Sequence, residues 1–165
     1  MNFMRMAKHF ATTHRSIRQR FPESSLAEIK HAIMVSEQSH RGEIRVAIEA
    51  ALQPSQLWQD MSPRERALEL FASMHVWDTA DNSGVLIYIL LADRSIEIVA
   101  DRGVCPATGN ATWRDIADAM RKHFASGSYT EGTLAGVEAV SRELAALVPE
   151  NRFKVDELPD DVTLL

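Results

Sequence analysis

Four aspartates, Asp78, Asp81, Asp93 and Asp101, stand around two apolar runs in VWDTADNSGVLIYILLADRSIEIVADRG, residues 76–103. Carboxylates gathered with an asparagine amide and loop carbonyls make a set of hard oxygen donors, the kind Ca²⁺ or Mg²⁺ prefers. Left without a cation, such carboxylates repel one another. The same residue types also build turns, and DTADNSG falls where a helix must give way to a strand, so residue types alone favour a turn. The spacing is not that of an EF-hand, which needs alternate acidic positions, a central glycine and a terminal glutamate. Both readings stay open until the elements carrying the aspartates are placed.

GVLIYILLA is a continuous apolar run, as expected of a strand buried on both faces, and SIEIVA follows across the short Asp93-Arg94 connection, which predicts a hairpin. With the turn at that dipeptide, opposed residue numbers sum to about 187, which sets Asp101 beside Leu86 and Gly103 beside Gly84. Asp101 then returns to Asp78, Asp81 and Asn82, while Asp93 is left roughly 25–30 Å away at the turn. The candidate metal ligands are therefore Asp78, Asp81, Asn82 and Asp101.

The remaining segments alternate between helix and strand. After Pro22, Ser25 as N-cap with Glu28 three residues on, and the stripe Leu26, Ile29, Ile33, Met34, predict an amphipathic helix ending near Gly42. Ile44, Val46 and Ile48 alternate with Arg45, Ala47 and Glu49, a strand with one polar or edge-facing side. Ser62, Pro63 and Glu65 form a capping box opening a helix whose expected face is Leu68, Phe71, Ala72 and His75. Two further helices carry Trp113, Ile116, Met120 and Phe124, then Leu134, Val137, Val140, Leu144 and Leu147. A strand buried on both faces needs cover on both sides, so the expected fold is α/β, a three-layer α/β/α sandwich around a small mixed β-sheet.

The 165 residues suit one domain, divided as a basic N-terminal segment (1–22), an α/β/α domain (23–148) and an acidic C-terminal tail (149–165). The single cysteine, Cys105, excludes an internal disulfide and fits a reducing, cytoplasmic setting with the thiol a bystander. No apolar run approaches the roughly 20 residues of a membrane span. Net charge is −5, yet Arg5, Lys8, Arg15, Arg18 and Arg20 all precede the first acid, Glu23. This Arg-rich, acid-free start has the character of a mitochondrial transit peptide. Alternatively Phe3, Met6, Phe10 and Ile17 form one helical stripe, docked on the domain or adsorbed to an anionic membrane surface. The acidic, Pro-bearing DELPDD near the C-terminus reads as a loose tail.

HRGEIRVAIEAAL, DNSGVLIYILLADRSIEIVADRG and FASGSYTEGTLAGV resemble, in order and spacing, the TPM domain, found in bacterial proteins and in a plant thylakoid-lumen protein credited with acid phosphatase activity. The motifs are Gly-Val-Leu after an Asp/Asn turn, the Asp-Arg hairpin, and Phe124, Gly127, Tyr129 and Gly132, over roughly residues 25 to 147. The resemblance implies an α/β/α sandwich with a divalent-cation site, commonly calcium, in the acidic loops. The usual Asn-Gly before Val-Leu is here Asn82-Ser83-Gly84, the glycine-rich stretch after the third strand is DRGVCPATGN, and the export signal and C-terminal membrane segment of many members are missing, which resembles a short cytosolic branch.

His9, His14, His31, His40, His75 and His123 show no His-Glu-x-x-His arrangement, and none is assigned to a metal. There is no phosphate-binding Gly-x-x-x-x-Gly-Lys loop and no Gly-x-Ser-x-Gly elbow. Trp58, Trp77 and Trp113 read as packing residues, since the acidic balance lacks the basic groove that nucleic acid requires. Two functions remain. One is a non-catalytic, cation-binding module for a membrane-associated partner, peripheral to a membrane. The other is a metal-dependent phosphatase using Asp78, Asp81 and Asp101 with Arg102.

Overall fold

The run GVLIYIL forms β2 (Gly84–Leu90), every residue of which is buried. Such a strand is stable only between two covering layers. The computed structural model, which describes residues 3–105, 111–149 and 157–165, supplies both. Val85, Ile87 and Ile89 face one core, built with Ile17 of α2 (His14–Arg20), Ile29 and Ile33 of α3 (Glu23–Ser36), Trp113 of α6 (Ala111–Ala125) and Val137 of α7 (Tyr129–Leu147). Leu86, Tyr88 and Leu90 face a second core with Leu57 of α4 (Pro54–Trp58) and Ala67 and Leu70 of α5 (Pro63–Ser73). This is a three-layer α/β/α sandwich. α1 (Phe3–Ala11) lies ahead of it in the chain.

The sheet has the order β3 (Ser95–Ala100), β2, β1 (Glu43–Glu49), β4 (Thr163–Leu164). β1 runs parallel to both β2 and β4, and β3 is antiparallel to β2. Val85 pairs with Ala100 and Leu90 with Ser95. The hairpin register is therefore shifted by two from the expected one, and Asp101 lies opposite Gly84, to whose carbonyl its N–H donates at 2.9 Å. The cause is at the turn. Leu91 and Ala92 bond to the carbonyls of Glu49 and Ala50, both at 3.0 Å, so they extend the pairing with β1 instead of the hairpin. Arg94 completes the turn at φ 52.

Other expectations are corrected in detail. α3 begins at Glu23, with Pro22 as its N-cap, and Ser25 is buried inside the helix, its hydroxyl accepting from Thr130 Oγ1 at 2.8 Å. In α5 the capping box of Ser62 and Glu65 forms as expected, but the buried face is Ala67 and Leu70, and Leu68 points to solvent. β1 has no solvent side, because Glu43, Arg45 and Glu49 are buried under partners from other elements. Trp113 packs in the core, whereas Trp58 and Trp77 are exposed.

The two chain ends also depart from the simple reading. The described part of the acidic tail is tied down: Leu165 N–H donates to Ile48 O at 2.9 Å, Arg45 donates to Thr163 Oγ1 at 2.9 Å and to Pro159 O, and Lys30 pairs with Asp161 at 2.8 Å. Residues 150–156, the start of that tail, and 106–110, within the glycine-rich stretch, lie outside the described residues. At the other end the expected stripe is split between two helices. Ile17 of α2 belongs to the core, whereas in α1 Met6 is half-buried and Phe3 and Phe10 point outward.

Candidate functional site

Gly84 starts β2 where only a glycine fits, since a Cβ there would fall on the Val76 carbonyl. The loop before it carries Asp78, Asp81 and Asn82, with Asn82 in the left-handed region at φ 50. Thr79 closes the loop by accepting Ser83 N–H at 2.9 Å. Asp101 arrives from β3, and Gly103 N–H donates to Asn82 O at 2.9 Å. A Cβ on Gly103 would collide with the carbonyl oxygens of Asp81 and Asn82, so the glycine permits this close crossing. Asp81, Asn82 and Asp101 thus share one loop junction.

Their side chains are differently employed. Asp81 pairs with Arg41 at 2.9 Å. Asn82 Oδ1 accepts from Arg102 Nη2 at 3.0 Å and Nε at 3.2 Å. Asp101 Oδ1 accepts the Arg102 N–H at 2.7 Å, whereas Asp101 Oδ2 is buried without a hydrogen-bond partner among the described residues. Asp78 is exposed, and no described bond joins its side chain to the other three. Glu157, which the sequence did not nominate, reaches in to accept Ala80 N–H at 3.0 Å. Among the described residues no three His, Cys, Asp or Glu side chains are grouped to hold a metal ion. The donors are of the type a hard cation takes, and the bare Asp101 Oδ2 is an oxygen such an ion could use. Full use of Asp81 and Asn82 would require Arg41 and Arg102 to release them.

The opposite end of the sheet holds charges whose connection the sequence did not reveal. Asp93, in the hairpin turn, accepts from Arg5 Nη2 at 2.8 Å, Arg5 Nε at 3.1 Å and His9 Nε2 at 3.0 Å. His9 Nδ1 accepts the Leu52 N–H at 2.9 Å, so the ring proton sits on Nε2 and is donated to Asp93. Burial works against the Asp93 charge, but the bonds from Arg5 and His9 outweigh it and hold the carboxyl below its ordinary value. Beside this cluster, Arg66 grips Glu49 through two nitrogens, each at 3.0 Å, and Tyr88 donates to Glu49 at 2.6 Å. Burial, then the Glu49 charge, pushes the Tyr88 hydroxyl well above its usual range and keeps its proton in place. The one available signal was Arg5 and His9 four residues apart, on one face of a helix with no acid of its own.

A model of the TPM domain matches residues 18–143. The chain belongs to the TPM domain family. It is similar to the BA42 protein of the psychrophilic bacterium Bizionia argentinensis, solved by NMR, with 26% identity and a TM-score of 0.74 over 86% of this chain and 92% of that one. A second solution NMR structure, the N-terminal domain of a P. gingivalis protein, shares the fold at 24% identity and TM-score 0.60, over 79% of this chain and 82% of that one. No curated protein gives a significant match. The acidic loops of this TPM domain lie inside the matched residues, and α1 lies outside them. No helix among the described residues is long and apolar enough to cross a membrane.

Proposed function

We propose that this TPM domain is a non-catalytic binding module that docks on an anionic membrane surface through α1. The observation that carries this reading is the outward face of α1, where Phe3, Met4 and Phe10 are 82%, 69% and 64% exposed beside the exposed Lys8. The inward face is polar: Arg5 and His9 hold the helix to Asp93, which turns Phe3 and Phe10 toward solvent. Arg15 and Arg18 of α2 add exposed cations. Aromatic residues flanked by cations are what an interfacial helix places at the headgroup boundary. Co-sedimentation with vesicles of anionic or neutral lipid tests this reading. A membrane-associated protein as the partner would instead leave protein-free vesicles unbound.

The acidic loops are the second part of the proposal. Asp81, Asn82 and Asp101, with Asp78 at the rim, hold Ca²⁺ or Mg²⁺, supported by the buried Asp101 Oδ2, which has no hydrogen-bond partner among the described residues, and by the oxygen-only donor set. The cation would replace Arg41 and Arg102 as the neutralising charge and lock the β2 entrance to the β3 exit. Calorimetry with Ca²⁺ and Mg²⁺ tests it. A metal-dependent phosphatase is the other reading, favoured by the two guanidiniums beside the same loops, which could bind substrate phosphate while the ion supplies Lewis acidity.

A further inference from the structure

Between the hairpin turn and the α6–α7 corner lies a pocket of about 550 Å³, well within the size range of small-molecule sites. The end of β2 contributes Ile89 and Leu90, and Phe124 and Tyr129, edge to face with centroids 5.0 Å apart, form an aromatic wall. Arg20, Arg94 and Arg121 line the same space. Arg121 is paired with Asp118. Arg20 has no carboxylate partner among the described residues: it donates to Ser16 O at 3.0 Å and lies over the Tyr129 ring, 5.5 Å from its centroid. Arg94 is exposed and makes no ion pair or side-chain hydrogen bond among the described residues. Among the described residues, two guanidinium groups at this pocket therefore have no carboxylate partner.

Two features of the backbone point the same way. Arg94 sits at φ 52, a region that glycine enters freely and a long side chain enters at a cost. The arginine side chain therefore stands at a backbone position that local preference disfavours. Ser128, just before α7, makes no side-chain cap on the first amides of this 19-residue helix, whose positive end opens where Gly127 and Tyr129 line the pocket.

We propose that this pocket binds a phosphomonoester with an apolar organic part. A phosphate of about −1.5 to −2 charge matches the two guanidiniums of Arg20 and Arg94, and the planar fork of arginine suits its oxygens. The organic part lies against Phe124 and Tyr129. The site is independent of the docking of α1 and of any cation in the acidic loops.

Calorimetric titration of the full chain with phenylphosphonate, which cannot be hydrolysed as an ester, tests the proposal. The wild type is expected to bind it about tenfold tighter than inorganic phosphate, through the aromatic wall. Arg94→Gly should weaken binding at least about tenfold while thermal stability is undiminished, because glycine accepts the left-handed backbone. Arg20→Ala should weaken it similarly. Monomeric dihexanoyl phosphatidic acid presents the same group on a lipid: if it displaces phenylphosphonate the natural ligand is lipid-borne, and if it does not the ligand is soluble, each outcome keeping the site. No binding of phenylphosphonate to the folded wild type, or unchanged affinity in both Arg94→Gly and Arg20→Ala, overturns it.

Discussion

Asp93→Ala removes the acceptor that holds α1 to the domain. In the folded protein Asp93 and Arg5 side chains are only 14% and 18% exposed, and the carboxylate takes bonds from both Arg5 and His9. Breaking a wholly buried pair by deleting one partner costs about 3–5 kcal/mol. Here Arg5 keeps the Met61 carbonyl at 2.7 Å and Asp60 at 3.6 Å, so its charge is not stranded. The expected loss is therefore about 2–3 kcal/mol, a few charge-assisted hydrogen bonds' worth. For a chain of this length that lowers Tm by about 5–10 °C. Urea and thermal unfolding of Asp93→Ala, Arg5→Ala and the double variant close a thermodynamic cycle, with an expected coupling of about 1–2 kcal/mol. A loss for Asp93→Ala within about 0.5 kcal/mol, the range of ordinary surface changes, would refute the anchoring role.

Ca²⁺ at about 100 times its dissociation constant should stabilise the wild type by about 2.7 kcal/mol; calorimetry and melting should find this lost in Asp101→Asn and Asp81→Ala and kept in Asp93→Ala, and equal melting with Ca²⁺ and with chelator would sink the site. The depressed Asp93 carboxyl stabilises the fold fully above the unfolded carboxyl value of about 4, and this contribution fades as pH falls through the lower folded value. Amide exchange in α1 should therefore rise selectively at acid pH, and in Asp93→Asn it should already be raised at neutral pH. If the phosphatase reading holds instead, aryl phosphate hydrolysis should be chelator-sensitive and fall about 100-fold or more in Asp81→Ala; activity unchanged in that variant would mark a contaminant.

The layers of the fold were legible where side-chain patterning and burial agree. GVLIYIL has no polar position, so a doubly covered strand was the only way to bury it. Ser62, Pro63 and Glu65 announced a helix start through local hydrogen bonding alone. The hairpin register was not legible, because Leu91 and Ala92 look like strand residues and do pair, but with the β1 end instead of β3. Arg94 at φ 52 carries none of the Gly or Asn signature that would have marked the turn. The acidic tail hid its strand for a similar reason: Asp160 and Asp161 suggest solvent, while Thr163 and Leu164 find an open edge on β1 that local sequence does not reveal. At the acidic loops the return of Asp101 to Asn82 followed from hairpin logic, whereas the engagement of Asp81 by Arg41 depends on a residue from a separate loop. The Asp93 anchor depends on contacts across 84 and 88 positions, which no local pattern encodes.

The most direct test of docking is vesicle binding by the full chain and by a Phe3→Ser, Phe10→Ser double variant. Removing residues 1 to 21 would take Ile17 and Phe21 out of the core and confound binding with folding, so point changes on the exposed face are the cleaner perturbation. Each phenylalanine contributes about 1.5 kcal/mol or more on burial, so losing both should weaken binding to anionic vesicles by at least about 100-fold. Binding of the wild type should also need anionic lipid and weaken with salt, since each cation near the surface adds about 1 kcal/mol that screening removes. The double variant should keep the wild-type melting temperature. Absence of wild-type binding to anionic vesicles, or equal binding by the two proteins, would contradict docking through α1.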